Sequence, residues 1–154
     1  MTNSISYQRA KEIQQLAGQM LQQEAANPYT DIEEWKAIQR HLATCIGILT
    51  EKKGSTLQEE GEMVLAILMG YTIAVRNKRN IALALERGFK VLPLLNDPIL
   101  KCKLAVFCYG ECFDEELAKM AYQLIEEQKQ TGNDASLYGT EKLLQNIEEN
   151  YLVV

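Results

Sequence analysis

The sequence predicts an all-α protein: a single-domain helical bundle of about six to seven mostly antiparallel helices around one buried central helix, about residues 56–76. Three observations carry this. Apolar residues recur at spacings of three and four along almost the whole chain, with no sustained period-two alternation. There is no Asn-Gly or Asp-Gly pair of the kind that closes a β-hairpin. Pro, Gly, Asn, Asp, Ser and Thr fall where helix caps and stops belong.

The first helix is predicted from about Ser6 to Ala25, with Ala10, Ile13, Ala17, Met20 and Leu21 on one face and Leu16 beside them. Asn27-Pro28 ends it, because a residue before proline avoids the α region. Thr30 and Glu33 form a capping box for the second helix. Its seam, Trp35, Ile38, Leu42, Cys45 and Leu49, is narrow enough to serve a core or a dimer alike. Lys52 and Lys53 suit a helix C-terminus, and Gly54 stops it.

The third helix opens at Ser55 or Thr56, either of which has a Gln or Glu three residues on. From Met63 to Val75 it reads MVLAILMGYTIAV, apolar nearly all round, which marks a buried helix. Gly70 costs about 1 kcal/mol there relative to Ala, and close approach of a neighbouring helix is the reason to expect it. The basic segment Arg76-Asn77-Lys78-Arg79 joins to a fourth helix, roughly Asn80 to Leu92, with Ile81, Leu85, Phe89 and Leu92 as its stripe. Pro93 ends or kinks it. Asp97 caps the fifth helix with Pro98 in its first position. Leu100, Leu104, Phe107 and Cys108 point inward, and Gly110 allows a tight turn near its end. Asp114 caps the sixth helix, where Glu115 and Glu116 suit the positive end of the dipole. Leu117, Met120, Ala121, Leu124 and Ile125 form its apolar face. Residues 131–139 read as a loop, and a last helix from about Thr140 to Asn150 buries Leu143, Leu144, Ile147 and Tyr151.

Apolar residues make up 47% and charged residues 24%, a balance that suits an ordinary globular domain of this length. The expected organisation is one domain over 1–154, including N-terminal helices at 6–53. The N-terminus lacks a basic start followed by an apolar run, and the Met63–Val75 stretch is too short to span a bilayer. A cytoplasmic protein with reduced thiols is therefore expected. Charge is uneven: residues 1–75 carry −3, residues 76–103 carry +5 and residues 104–154 carry −7. The segments either face each other or solvate the surface, or they form two opposed faces for a charged partner. An overall charge of −5 argues against nucleic-acid binding as the main role, and no direct sequence-specific DNA binding is expected.

Catalytic chemistry is hard to place. Cys102, Cys108 and Cys112 lack the spacing and the fourth ligand of a structural zinc site, so they read as buried thiols. His41 with a cysteine has no elbow or strand–turn–helix context to mark a nucleophile pair. The Glu-Glu pairs sit in helix end turns, where capping and solvation account for them. No phosphate loop or dinucleotide fingerprint occurs. No cofactor, metal or catalytic residue is expected, and the default is a binding or regulatory protein.

Two stretches carry a family resemblance: Leu65 to Val75, with Leu68-Met69-Gly70-Tyr71, and Leu104 to Ala121, with Cys108-Tyr109-Gly110-Glu111 and Asp114-Glu115-Glu116-Leu117-Ala118. Lys90-Val91-Leu92 fits between them. Together they resemble the UpxZ family of transcription antitermination antagonists, small proteins from capsular polysaccharide loci of Bacteroidales. The resemblance covers about residues 55–130. It implies a non-enzymatic regulator that opposes NusG-like (UpxY-type) antiterminators of other polysaccharide loci, with the transcribing RNA polymerase as a further candidate contact. Partner-binding candidates are Tyr71 and Tyr109, as amphipathic contact residues. Glu111, Asp114, Glu115 and Glu116 form an acidic patch. Arg76, Lys78 and Arg79, with Arg87, form a basic one for an acidic partner or RNA. The competing readings are a small helical enzyme with an unrecognised site and a helical adaptor unrelated to transcription.

Overall fold

The computed structural model describes residues 4–26 and 32–153. Within them lie seven α-helices and no strand: α1 (Ile5–Ala26), α2 (Ile32–Thr50), α3 (Leu57–Gly70), α4 (Lys78–Val91), α5 (Pro98–Cys112), α6 (Glu115–Thr131) and α7 (Tyr138–Val153). Short 3-10 turns at Leu92–Leu94 and Ala135–Leu137 lead into α5 and α7. The Asn27-Pro28 stop, the Thr30 cap and the side chain of Tyr151 lie outside the described residues.

Caps set most boundaries. Thr56 accepts from Glu59 N at 3.0 Å to open α3. Asn77 accepts from Asn80 N at 3.0 Å to open α4. Asp97 accepts from Ile99 N and Leu100 N at 3.0 and 3.2 Å, with Pro98 in the first turn of α5. Asp114 accepts from Glu116 N at 3.0 Å to open α6. Each cap satisfies an amide that the helix itself leaves without an acceptor.

The central helix is buried on every side from Gly61 to Leu68 and packs against α1, α2, α4 and α5. It ends at Gly70, six residues before the predicted boundary, and residues 71–74 continue as tight turns that keep Ile73 and Ala74 inside. The close approach expected at Gly70 is present: a Cβ there would lie 2.5 Å from Ile46 Cδ1 of α2 and 3.3 Å from Ile13 Cγ2 of α1. Two carboxylates of α3 are buried, Glu59, which accepts from Ser55 Oγ at 3.0 Å, and Glu62. Helix α1 satisfies Glu62 through Gln14 Nε2 at 2.7 Å and Lys11 Nζ at 3.3 Å.

Several expectations need correction. Beside the central helix, α5 is also largely inside, with Leu100, Cys102, Leu104, Ala105, Val106, Cys108 and Tyr109 buried. Ile46 joins Leu42 and Leu49 inside, so the α2 seam serves the chain's own core. The buried face of α4 is Ile81, Ala84, Gly88 and Val91, and Phe89 is 45% exposed. A Cβ at Gly88 would lie 3.1 Å from Cys108 Sγ, so α4 turns its smallest residue to α5 and Phe89 rotates outward. Gly110 sits within α5 beneath Ile147 of α7. The turn it was expected to make belongs to Phe113, which caps α5 in the left-handed region at φ 56°. Cys112 is exposed, not buried.

Candidate functional site

The sequence-selected residues gather at the α3–α4 joint and the α5–α6 turn. An Arg76–Glu111 salt bridge ties these two regions together, so the basic and acidic segments meet at this point. The Glu111 side chain is 11% exposed and that of Arg76 is 55% exposed. The bridge is thus partly shielded on its acidic side, where screening is weaker.

Lys78 and Arg79 occupy the first turn of α4 and are exposed. Asp114, Glu115 and Glu116 are exposed around the start of α6. Glu116 also pairs with Lys119 at 3.3 Å, an exposed contact of small energetic weight. The Tyr109 hydroxyl lies 3.5 Å from Glu115 Oε1, at the limit of a donated hydrogen bond.

The two tyrosines depart from the contact role read from the sequence. Tyr71 is 3% exposed and Tyr109 is fully buried. Tyr71 closes α3, and its hydroxyl accepts from Asn80 Nδ2 at 2.8 Å, which latches the start of α4 to the end of the central helix. The Tyr109 ring packs edge-on against Phe113 with centroids 6.1 Å apart. Both tyrosines support this end of the bundle from within. Arg87 is also engaged internally: it grips Glu60 with two bonds of 2.7 Å each.

Two exposed apolar residues at this end had not been singled out. Val75 precedes Arg76 and is 75% exposed; Phe113 precedes Asp114 and is 41% exposed. Val75 read as the end of the apolar run, and nothing in the sequence marks it as outward. Phe113 stands just before a helix cap, and a left-handed backbone at a phenylalanine leaves no local sequence signal.

Other chemically active groups lie elsewhere. His41 Nε2 is 3.7 Å from Cys45 Sγ, one turn apart on α2, beside a cavity of about 250 Å³. Burial pushes the Cys102 and Cys108 thiols up to about 12, so both are protonated at neutral pH. Burial and the neighbouring Glu148 carboxylate raise the Tyr122 phenol to about 12. Among the described residues no group of three His, Cys, Asp or Glu side chains is placed to hold a metal ion. A groove of about 600 Å³ runs between α1, α5 and α7 with Met69 and Phe107 in its wall; none of the sequence-selected residues lines it.

A family model for transcription anti-terminator antagonists, the UpxZ family, matches residues 10–110. The chain belongs to the UpxZ family. The crystal structure of the transcription anti-terminator antagonist UpxZ from Bacteroides uniformis ATCC 8492 is similar to this chain throughout. Its TM-score is 0.84 and its identity 29%, over 97% of this chain and 95% of that one. No curated protein matches. The family match takes in most of α1, all of α2, α3 and α4, and most of α5, and so includes the N-terminal helices, where the sequence motifs gave no hold. It stops before Glu111 and the α6 acids, which the crystallographic relative spans as structure. The UpxZ family is regulatory, and its description implies a protein target. None of the described helices is long and apolar enough to cross a membrane.

Proposed function

We propose that this chain acts without catalysis, by binding NusG-like (UpxY-type) antiterminators of other capsular polysaccharide loci in the cytoplasm. The contact runs through the end of the bundle built from the α3–α4 joint and the α5–α6 turn. One observation carries the placement. Exposed Val75 and Phe113 share this end with cations at Arg76, Lys78 and Arg79 and acids at Asp114, Glu115 and Glu116, and the Arg76–Glu111 bridge fixes the two halves. Apolar anchors with a charged rim suit a protein interface, since the anchors supply affinity and the charges supply selectivity. The buried tyrosines hold the surface in shape. Glu111, bound to Arg76, organises the patch more than it faces a partner. A non-enzymatic role is also supported by where the perturbed titrating groups sit: Cys102, Cys108, Glu60 and Tyr122 are engaged in packing or pairing, and none lines the 600 Å³ groove.

A pull-down of the purified chain against a panel of antiterminators, with the cognate one as control, tests this reading. Selective retention of non-cognate members is expected. Phe113→Ala and the double variant Glu115→Lys/Glu116→Lys should each reduce retention about tenfold or more, as loss of an interface anchor or of a complementary charge pair does. Full retention by both variants across a salt series would move the contact to another face. No retention of any antiterminator would shift the target to the elongating polymerase.

A further inference from the structure

The outward side of α4 runs against two local preferences. Its first turn holds Lys78 and Arg79 and no acid, although the positive end of a helix dipole disfavours cations. It also exposes Phe89 at 45% and Leu83 at 39%. At about 100° per residue, Lys78, Phe89, Arg79, Lys90 and Leu83 fall within an arc of about 140°, facing away from the buried Ile81, Ala84 and Gly88. Lys52 and Lys53, just past the end of α2, extend this surface: they border one depression of about 320 Å³ with Leu83, Arg87 and Lys90, and with the acids Glu51 and Glu86.

Glu51 and Glu86 stand among these cations and Lys53 acts on Glu60, but the cations outnumber the acids. Lys90 pairs with Glu86 at 3.6 Å, but both side chains are mostly exposed and the pair is weak. Among the described residues, Lys52, Lys53, Lys78 and Arg79 form no salt bridge. A chain of net charge −5 thus concentrates cations on one helix face and sets a flat aromatic ring among them. Lysines alone would meet an acidic protein. A ring held in water beside them has a specific use on an unpaired base, whose flat face stacks on it while phosphates meet the cations. Double-stranded nucleic acid offers no open base face to the ring.

We propose that the outward face of α4, with Lys52 and Lys53, binds single-stranded RNA, with Lys52, Lys53, Lys78, Arg79 and Lys90 on the phosphates and Phe89 stacked on an unpaired base. From Lys78 to Lys90 the surface runs about 18 Å along the helix. This face shares Lys78 and Arg79 with the antiterminator patch, but Lys52, Lys53, Phe89 and Lys90 lie outside it, so variants at those four positions test RNA binding alone.

Fluorescence anisotropy of a labelled oligouridine with the full chain, between about 50 and 200 mM salt, tests it. Binding that weakens steeply with salt is expected. Lys52→Ala/Lys53→Ala/Lys90→Ala should flatten the log–log salt slope by about 2, at about 0.7 per phosphate contact. Phe89→Ala should weaken binding about fivefold or more and leave the slope unchanged. Circular dichroism confirms that each variant is folded, and both should keep wild-type retention in the antiterminator pull-down. Three results would overturn the proposal: no oligouridine binding at the lowest salt, binding indifferent to both variants, or stronger binding of polyglutamate that the same lysine variant abolishes. The last would assign the face to an acidic protein instead.

Discussion

The Glu60 side chain ties three parts of the fold together. It accepts from Gly54 N at 2.8 Å and from Arg87 Nε and Nη2 at 2.7 Å each, joining the α2–α3 connection, α3 and α4. Burial raises its carboxyl pKa, but Arg87 and the Gly54 amide outweigh that, and the net result lies below the ordinary value of 4.5. A carboxyl depressed in the folded state adds stability above its unfolded pKa, and loses it as pH falls through the folded one. Thermal unfolding should therefore show a drop in melting temperature as pH is lowered from about 4.5, set by this group. Glu60→Gln should remove that component and lower stability at neutral pH by about 1–3 kcal/mol, since the guanidinium keeps only part of its bonding. An identical pH profile in the variant would show that the bridge does not set the acid limit. Residue type alone pointed Arg87 outward and Tyr71 and Tyr109 toward a partner. Which polar tip finds an internal partner depends on residues distant in sequence, such as Glu60 for Arg87, and no local pattern contains that.

At the scale of elements, crossings between helices decide more than propensity does. Gly70 costs its helix about 1 kcal/mol, but a methyl there would meet Ile46 and Ile13, the residues that dock α2 and α1 on the central helix. Gly70→Ala should therefore destabilise by about 1–3 kcal/mol through overpacking, despite its better propensity. The double variant with Ile46→Val, which removes the nearest methyl, should recover part of the loss. Urea unfolding of these two variants beside the wild type measures both effects, and a Gly70→Ala chain as stable as wild type would mean that α1 and α2 shift without cost. The same logic explains the legible and illegible parts of the elements. Helix starts at Thr56, Asp97 and Asp114 were readable because a cap acts within three residues. The rotation of α4 was not, because it follows from Gly88 meeting Cys108 of another helix.

For the whole molecule, α3 and α5 share one core with helices from both ends of the chain. Met20 of α1, Leu49 of α2, Leu117 of α6 and Leu144 of α7 all belong to a single buried cluster. The described chain should then unfold as one cooperative unit. Trp35 fluorescence, which reports on α2, and far-UV circular dichroism, which reports on all the helices, should give coincident urea transitions. An earlier transition by fluorescence would divide the N-terminal helices from the rest. The charge layout also belongs to this scale. The sequence left open whether the basic and acidic segments face each other or form two opposed faces, and folding brings them together at Arg76–Glu111. That meeting makes the mixed surface proposed for the protein partner, and this surface borders the cationic side of α4 at Lys78 and Arg79.

The sequence by itself determined the all-helical class, most helix starts and the buried character of the run that begins at Met63, because these depend on spacing and capping within one or two turns. The two motif stretches were also enough to point to the UpxZ family. Tertiary structure alone decided that α5 is also largely inside, that Tyr71 and Tyr109 lie inside, and that Val75, Phe89 and Phe113 lie outside. The physical reason is range. A cap or a stripe is set by near neighbours, whereas the inward face of a helix is set by how closely another helix can approach it, and small residues such as Gly70 and Gly88 fix that distance.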